Sequence, residues 1–300
     1  MQRQATTRIR WSGIGLSLLF AVCLISAPAL GSSSPKKRSK SDRDIGAIGH
    51  RKIAKLDPTW YSFEREKQIG AQWSASLERS TPLLRDAITA AYVERLANTV
   101  AQNSDAQGIP ITVRIVDSEE VYALTLPAGY QYITRGLLLR IDNEGELASM
   151  LARGIAHTAL RSAMREASKE AVARIATTPL IFGPSDKNPP PSSSTVRWLL
   201  KTKRDDESDA DYFGLQYLYK SGYDPECFIT FVQTVWPANP SKPAETKLSP
   251  FPPLPERLKA LQEEISDILP KRDSAVTNTP EFANFREHLL KLNAPKSETK

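Results

Sequence analysis

Residues 146–161 read "ELASMLARGIAHTALR". The stretch reads as an amphipathic helix with one histidine, His157, in its middle. Asn143 and Glu146 form a capping box ahead of it, and the pattern predicts a helix running to about Lys169. A metal-binding helix sets two histidines four residues apart, so that both rings point the same way, with a glutamate directly after the first. Four residues before His157 stands Arg153, and next to it Gly154. A guanidinium is cationic throughout the usable pH range and cannot ligate a metal. Glycine inside a helix costs about 1 kcal/mol against alanine, and no catalytic step asks for one. The helix is either an ordinary core element or an altered active site.

A second stretch bears on the choice. "RDDESDADYFGLQYLYKSGYDP" at 204–225 predicts a helix over 203–220, closed by Gly222 and Pro225. Glu207 and Asp211 are four apart and share a face. Taken alone, His157 is a helix histidine, and the two acids belong to a solvated face with Asp205, Asp206 and Asp209. A catalytic zinc needs three protein ligands and an open position. His157 and Glu207 supply two. His50, in an N-terminal arm, and His288, in the last helix, are poor candidates for a third.

Outward from these helices the chain predicts a mixed domain. Ser62 caps a helix through about Glu78, with Phe63, Ile69, Trp73 and Leu77 at near-helical spacing. Thr81-Pro82 reads as a further cap, with Leu84, Ile88, Tyr92, Leu96 and Val100 repeating after it. "IPITVRIVDS" at 109–118 alternates as a strand, and strand-like pieces flank a turn at Pro127-Ala128-Gly129. The Pro-rich residues 183–195 read as a loop. Helices follow at 256–268 and 280–292. The expected fold class is α+β, helix-dominant.

The ends differ in character. Residues 1–10 carry three arginines and no acid, residues 11–30 are an apolar run, and Ala29-Leu30-Gly31 is a small-x-small site. That is the anatomy of a secretory signal peptide over residues 1–31. An uncleaved N-terminal anchor and a lipoprotein at Cys23 are the other readings, though Val22 suits lipid attachment poorly. Losing those residues takes the formal charge from +6 to +3, which argues against a nucleic-acid partner. Residues 32–56 read as a flexible, basic, Ser-rich linker. Its run "PKKRSKSDR" at 35–43 is a solvated tether or a peripheral contact with anionic lipid. Residues 57–293 form the domain, and 294–300 a disordered tail. Only Cys227 remains after the leader, so neither an internal disulfide nor a cysteine metal site is expected.

In three segments the chain resembles the gluzincin zinc metallopeptidases, the family of the CAAX prenyl endopeptidase, the heat-shock membrane protease and the periplasmic β-barrel-assembly-enhancing protease. "LPAGYQYITRGLLLRIDNEGELASMLA" at 126–152 is similar to the family's edge strand, turn and entry to the active helix. "RDDESDADYFGLQYLYKSGYDP" is similar to its third-ligand helix, and "SPFPPLPERLKALQ" at 249–262 to a segment that normally contains His-Pro-Pro. The resemblance covers roughly residues 60–290 and implies a zincin-like fold with a small sheet and an active-site helix. It matches His157 to the second zinc histidine and Glu207 to the glutamate ligand. Asp211 matches the acid that orients the second histidine, and Arg204 an arginine one turn before the ligand. Arg153 replaces the first zinc histidine, Gly154 the general-base glutamate, and Phe251 a metal-facing histidine.

The resemblance therefore implies a peptidase scaffold without its catalytic residues. The expectation is a pseudopeptidase of the bacterial periplasm or cell envelope, with no cofactor where the family holds zinc. Its partner would be an unfolded or extended polypeptide, such as an outer-membrane or envelope protein, held along an edge strand at Tyr130, Gln131, Tyr132, Ile133 and Thr134. Two alternatives stand beside it: a residual zinc metalloendopeptidase with an altered site, and an envelope-tethered scaffold acting through the basic arm.

Overall fold

The computed structural model describes residues 38–53, 61–165, 167–168, 204–235 and 253–293. The leader, the 183–195 loop, Phe251 and the 294–300 tail lie outside the described residues, as do 32–37 and 54–56 of the expected linker. From Ser39 onward the described residues gather in one unit.

Among the described residues, α1 (Lys40–Arg43), a 3-10 helix (Ile45–Ala47), α2 (Phe63–Ser80), α3 (Ala87–Gln102), β1 (Thr112–Val116) and β2 (Ala123–Thr125) precede the central hairpin turn. A 3-10 turn at Pro127–Gly129 leads into β3 (Tyr130–Thr134), α4 (Arg135–Arg140) and α5 (Glu144–Ala159). Then come α6 (Arg204–Lys220), α7 (Glu226–Val235), α8 (Leu254–Asp267) and α9 (Pro280–Asn293). Local chemistry explains several starts. Ser62 Oγ accepts from the Arg65 N–H at 3.2 Å, and Asn143 Oδ1 from the Glu146 N–H at 2.9 Å. The Glu146 carboxylate reaches back to the Asp142 N–H at 3.0 Å, one residue short of a full capping box.

Among the described residues the sheet has three strands, in the order β1-β3-β2. β1 runs parallel to β3, with Val113 opposite Gln131, and β2 runs antiparallel to it, with Thr125 opposite Gln131. Tyr130–Thr134 is thus the central strand, which corrects its expected place at the edge. Both its ladders are filled, so it has no free backbone groups for a guest chain. The open edge is β2; no strand among the described residues pairs with its outer side. The outer side of β1 is partly covered, because Leu84 N–H donates to Ile115 O and Asp117 N–H to Pro82 O, each at 2.9 Å. That pairing also corrects Thr81-Pro82 as a helix start. Residues 82–84 run beside β1, and α3 begins at Ala87 under an Asp86 cap.

Strand alternation divides the sheet between two cores. Val113, Ile115 and Ile133 face the main core with α3 and α5, while Tyr132, Leu124 and Val116 pack with Trp73 of α2. α5 is buried on every side: each of its residues is buried except His157. The expected amphipathic face is absent because α3, α6, α7 and the β2 strand surround the helix. α5 also ends earlier than expected. The chain turns at Leu160 and Arg161, the latter at φ 53°, before helix resumes at 162–165.

The linker expectation is corrected over residues 39–53. Ile48 and Ile53 join the main core. Arg51 donates to Asp42 O at 2.8 Å and to Gln216 Oε1 at 2.7 Å, and pairs with Asp105 at 2.7 Å. A buried guanidinium fastened to two distant parts of the chain, at Asp105 and Gln216, makes this segment part of the domain. Among the described residues no helix is long and apolar enough to cross a membrane.

Candidate active site

α5 and α6 lie against each other, and Glu207, Asp211 and Gly214 fall on one face of α6 at helical spacing. Arg153 projects from α5 toward that face. Its Nε donates to Asp211 Oδ1 at 2.8 Å, and its Nη2 is in contact with Glu207 Oε2. Arg257 of α8 takes Asp211 from the other side, through Nη2 to Oδ1 at 2.8 Å and through Nε to Oδ2. Two guanidiniums and two carboxylates thus form one buried cluster, with Arg153 9%, Glu207 3%, Asp211 4% and Arg257 3% exposed. Arg165 and Asp206 make a third buried pair beside it.

His157 stands at the rim. Its Nε2 lies 3.8 Å from Glu207 Oε2, and its Nδ1 lies 3.3 Å from Ser162 Oγ. Burial, and then the nearby cation Arg153, hold its pKa well below the ordinary histidine value, so the ring is neutral at pH 7. Burial would raise the Asp211 carboxyl, but Arg257 and then Arg153 hold it below its usual range. Burial pushes the Arg153 guanidinium down to about 10, against the pull of Asp211, and it stays charged at neutral pH.

These residues do not fit a catalytic zinc. A zinc ion would need His157, Glu207 and a third ligand around one point. The Glu207 oxygen nearest His157 is already engaged by Arg153. Among the described residues no three His, Cys, Asp or Glu side chains are grouped to hold a metal. His288 pairs instead with Asp86 at 2.9 Å, and His50 is exposed in the turn after the first 3-10 helix. The Arg204 side chain and Phe251 lie outside the described residues, so neither of their expected roles meets a structural observation.

The structure therefore brings Arg153, His157, Glu207 and Asp211 together. It adds Arg257, Arg165 and Asp206, which sequence reasoning did not single out. Arg257 is the fourth residue of a Pro-started helix, a place where an arginine carries no signal of its own. Only the approach of α8 to α6 gives it a carboxylate to hold. On the sheet side, Gln131 is 2% exposed, and its carboxamide packs over Gly154.

Known proteins give the cluster its context. The chain is 27% identical over 208 residues to a β-barrel assembly-enhancing protease of Yersinia pestis, covering 65% of this chain and 42% of that protein. It is 24% identical over 248 residues to the protein of the same name from Escherichia coli K12, covering 78% and 49%. It is 31% identical over 128 residues to the mitochondrial metalloendopeptidase OMA1 of Arabidopsis thaliana, covering 42% and 26%. The chain spans less than half the length of these relatives. Residues 87–265, which include β1 to β3 and the helices carrying Arg153, His157, Glu207, Asp211 and Arg257, match Peptidase family M48, and the chain belongs to that family.

Proposed function

We propose that this peptidase-family protein is a pseudopeptidase of the bacterial cell envelope, which holds extended polypeptides and does not cut them. The observation that carries the proposal is the Arg153 guanidinium, engaged by both Glu207 and Asp211 where a metalloenzyme would hold its ion. One fixed cation takes over the task of neutralising the buried acids. Gly154 offers no carboxylate to activate a water. The Ala123–Thr125 edge, unpaired on its outer side among the described residues, is the strand that an extended client would join. Export rests on the leader-like residues 1–31. The envelope client proposed here, an unfolded outer-membrane polypeptide, extends the words β-barrel assembly in the names of the relatives.

The test uses the chain from residue 32 onward, purified without added metal. Metal analysis is expected to find no stoichiometric zinc, and casein is expected to stay intact. A labelled, unfolded outer-membrane polypeptide should bind saturably, and a proline at Ala123, whose N–H faces away from β3, should weaken that binding by removing an outward ladder donor. One zinc per chain with chelator-sensitive cleavage of casein would overturn the proposal in favour of a metalloendopeptidase. Binding that survives the proline but is lost on deleting residues 32–38 would move the contact to the basic arm.

A further inference from the structure

We infer that Gln131 seals the former catalytic seat: its carboxamide occupies the space that any side chain at position 154 would need. The word "former" rests on the pseudopeptidase proposal; the packing does not. A Cβ on Gly154 would stand 2.8 Å from Gln131 Oε1, 2.9 Å from its Cδ and 3.0 Å from its Nε2. Real Cβ atoms essentially never sit closer than 3.0 Å to a neighbour. The neighbour here is the end of a flexible side chain, which on a surface would swing aside. Gln131 is 2% exposed, on the central strand, with Val113 and Thr125 beside it in the flanking strands. It has nowhere to swing without disturbing the sheet or α5.

Hydrogen bonding does not account for its place. The buried Nε2 of Gln131 has no partner among the described residues. Leaving a buried amide donor unsatisfied is unfavourable, so the fit is one of volume. Two residues that look separate in sequence then form one device. Gly154 removes the side chain from the helix, and Gln131 fills the gap from the sheet. Restoring a glutamate at 154 alone would drive a carboxylate into the carboxamide.

The sign of a mild substitution tests this. Glycine to alanine inside a helix normally stabilises. Gly154→Ala should instead lower Tm, by roughly 3–8 °C, as overpacking outweighs propensity. In a Gln131→Ala background the same change should raise Tm. A Gly154→Ala protein that melts at or above the parent temperature overturns the seal. So does a loss of the same size in both backgrounds.

A second measurement separates the seal from the pseudopeptidase proposal. Calorimetric zinc titration should show no uptake by Arg153→His/Gly154→Glu, and uptake near one ion per chain when Gln131→Ala is added. Sign reversal in the melts without zinc uptake by the triple variant keeps the seal and removes the former metal centre. Zinc uptake by the double variant alone overturns the seal and keeps the centre.

Discussion

Gly214 of α6 meets Arg153 of α5 backbone to backbone: a Cβ on Gly214 would stand 3.0 Å from the Arg153 Cα and 3.1 Å from its N. The helices can approach this closely only because position 214 has no side chain. Glu207 and Asp211 lie on the same face, so the contact sets how far their carboxylates are from the guanidinium. Gly214→Ala should therefore destabilise despite its better helix propensity, by about 1–3 kcal/mol. Urea unfolding would measure it, and a neutral or stabilising result would show that the helices part at no cost.

Removing the cation should cost more than the contact is worth. Arg153→Ala takes a guanidinium away from buried Glu207 and one of two from Asp211. The expected loss is about 3–5 kcal/mol. Arg153→Met combined with Glu207→Leu, which deletes both charges and keeps volume, should recover most of it. Unchanged thermal stability in Arg153→Ala would mean that the cluster is not coupled to folding.

A pH effect is expected at the start of α3. The Asp86 carboxyl is held below its ordinary value: its burial opposes this, but the Thr89 N–H, at 2.7 Å, and His288 outweigh it. A carboxylate depressed in the fold contributes stability above its unfolded pKa of about 3.9. That stability is lost as pH falls through the folded value. Asp86→Asn keeps a capping oxygen but no charge. The variant should melt below the parent at pH 7, and the gap should close toward pH 3. A gap that is constant with pH would assign the effect to packing.

Cys227 should be inert in the native protein. It is 4% exposed and packs against Gly145 of α5, and burial pushes its thiol up to about 11. Iodoacetamide at pH 8 should label it only after denaturant is added. Labelling of the folded chain at a rate like that of free cysteine would show that α7 opens away from α5.

How much of this was legible beforehand differs by element. The α2 start at Ser62 and the C-terminal end of α6 at Lys220 follow from residues adjacent in sequence, and the structure agrees. The central position of β3 does not follow from such residues. "YQYIT" alternates as well for an edge as for a centre, and its parallel partner β1 lies across the β2 hairpin. The break at Leu160–Arg161 carries no glycine or proline. What holds Arg161 is Glu66, 2.5 Å away and 95 residues earlier. Arg153, His157, Glu207 and Asp211 were readable through the family resemblance; their four-residue spacing alone read the two acids as a solvated face, whereas both are buried. Arg257 and Gln131 were not, since their neighbours come from other elements.

The tether at Arg51 has a consequence for the order in which the molecule is finished. The residues that receive its guanidinium, Asp105 and Gln216, come 54 and 165 positions later in the chain. A polypeptide that emerges N-terminus first presents Arg51 near the beginning and Gln216 only after α5 and most of α6 have followed. The segment at 39–53 is then the first part of the domain to appear and among the last to be fastened. Until Gln216 arrives, the Arg51 guanidinium lacks one of its acceptors, and the interval is a window for a holding chaperone or an early protease.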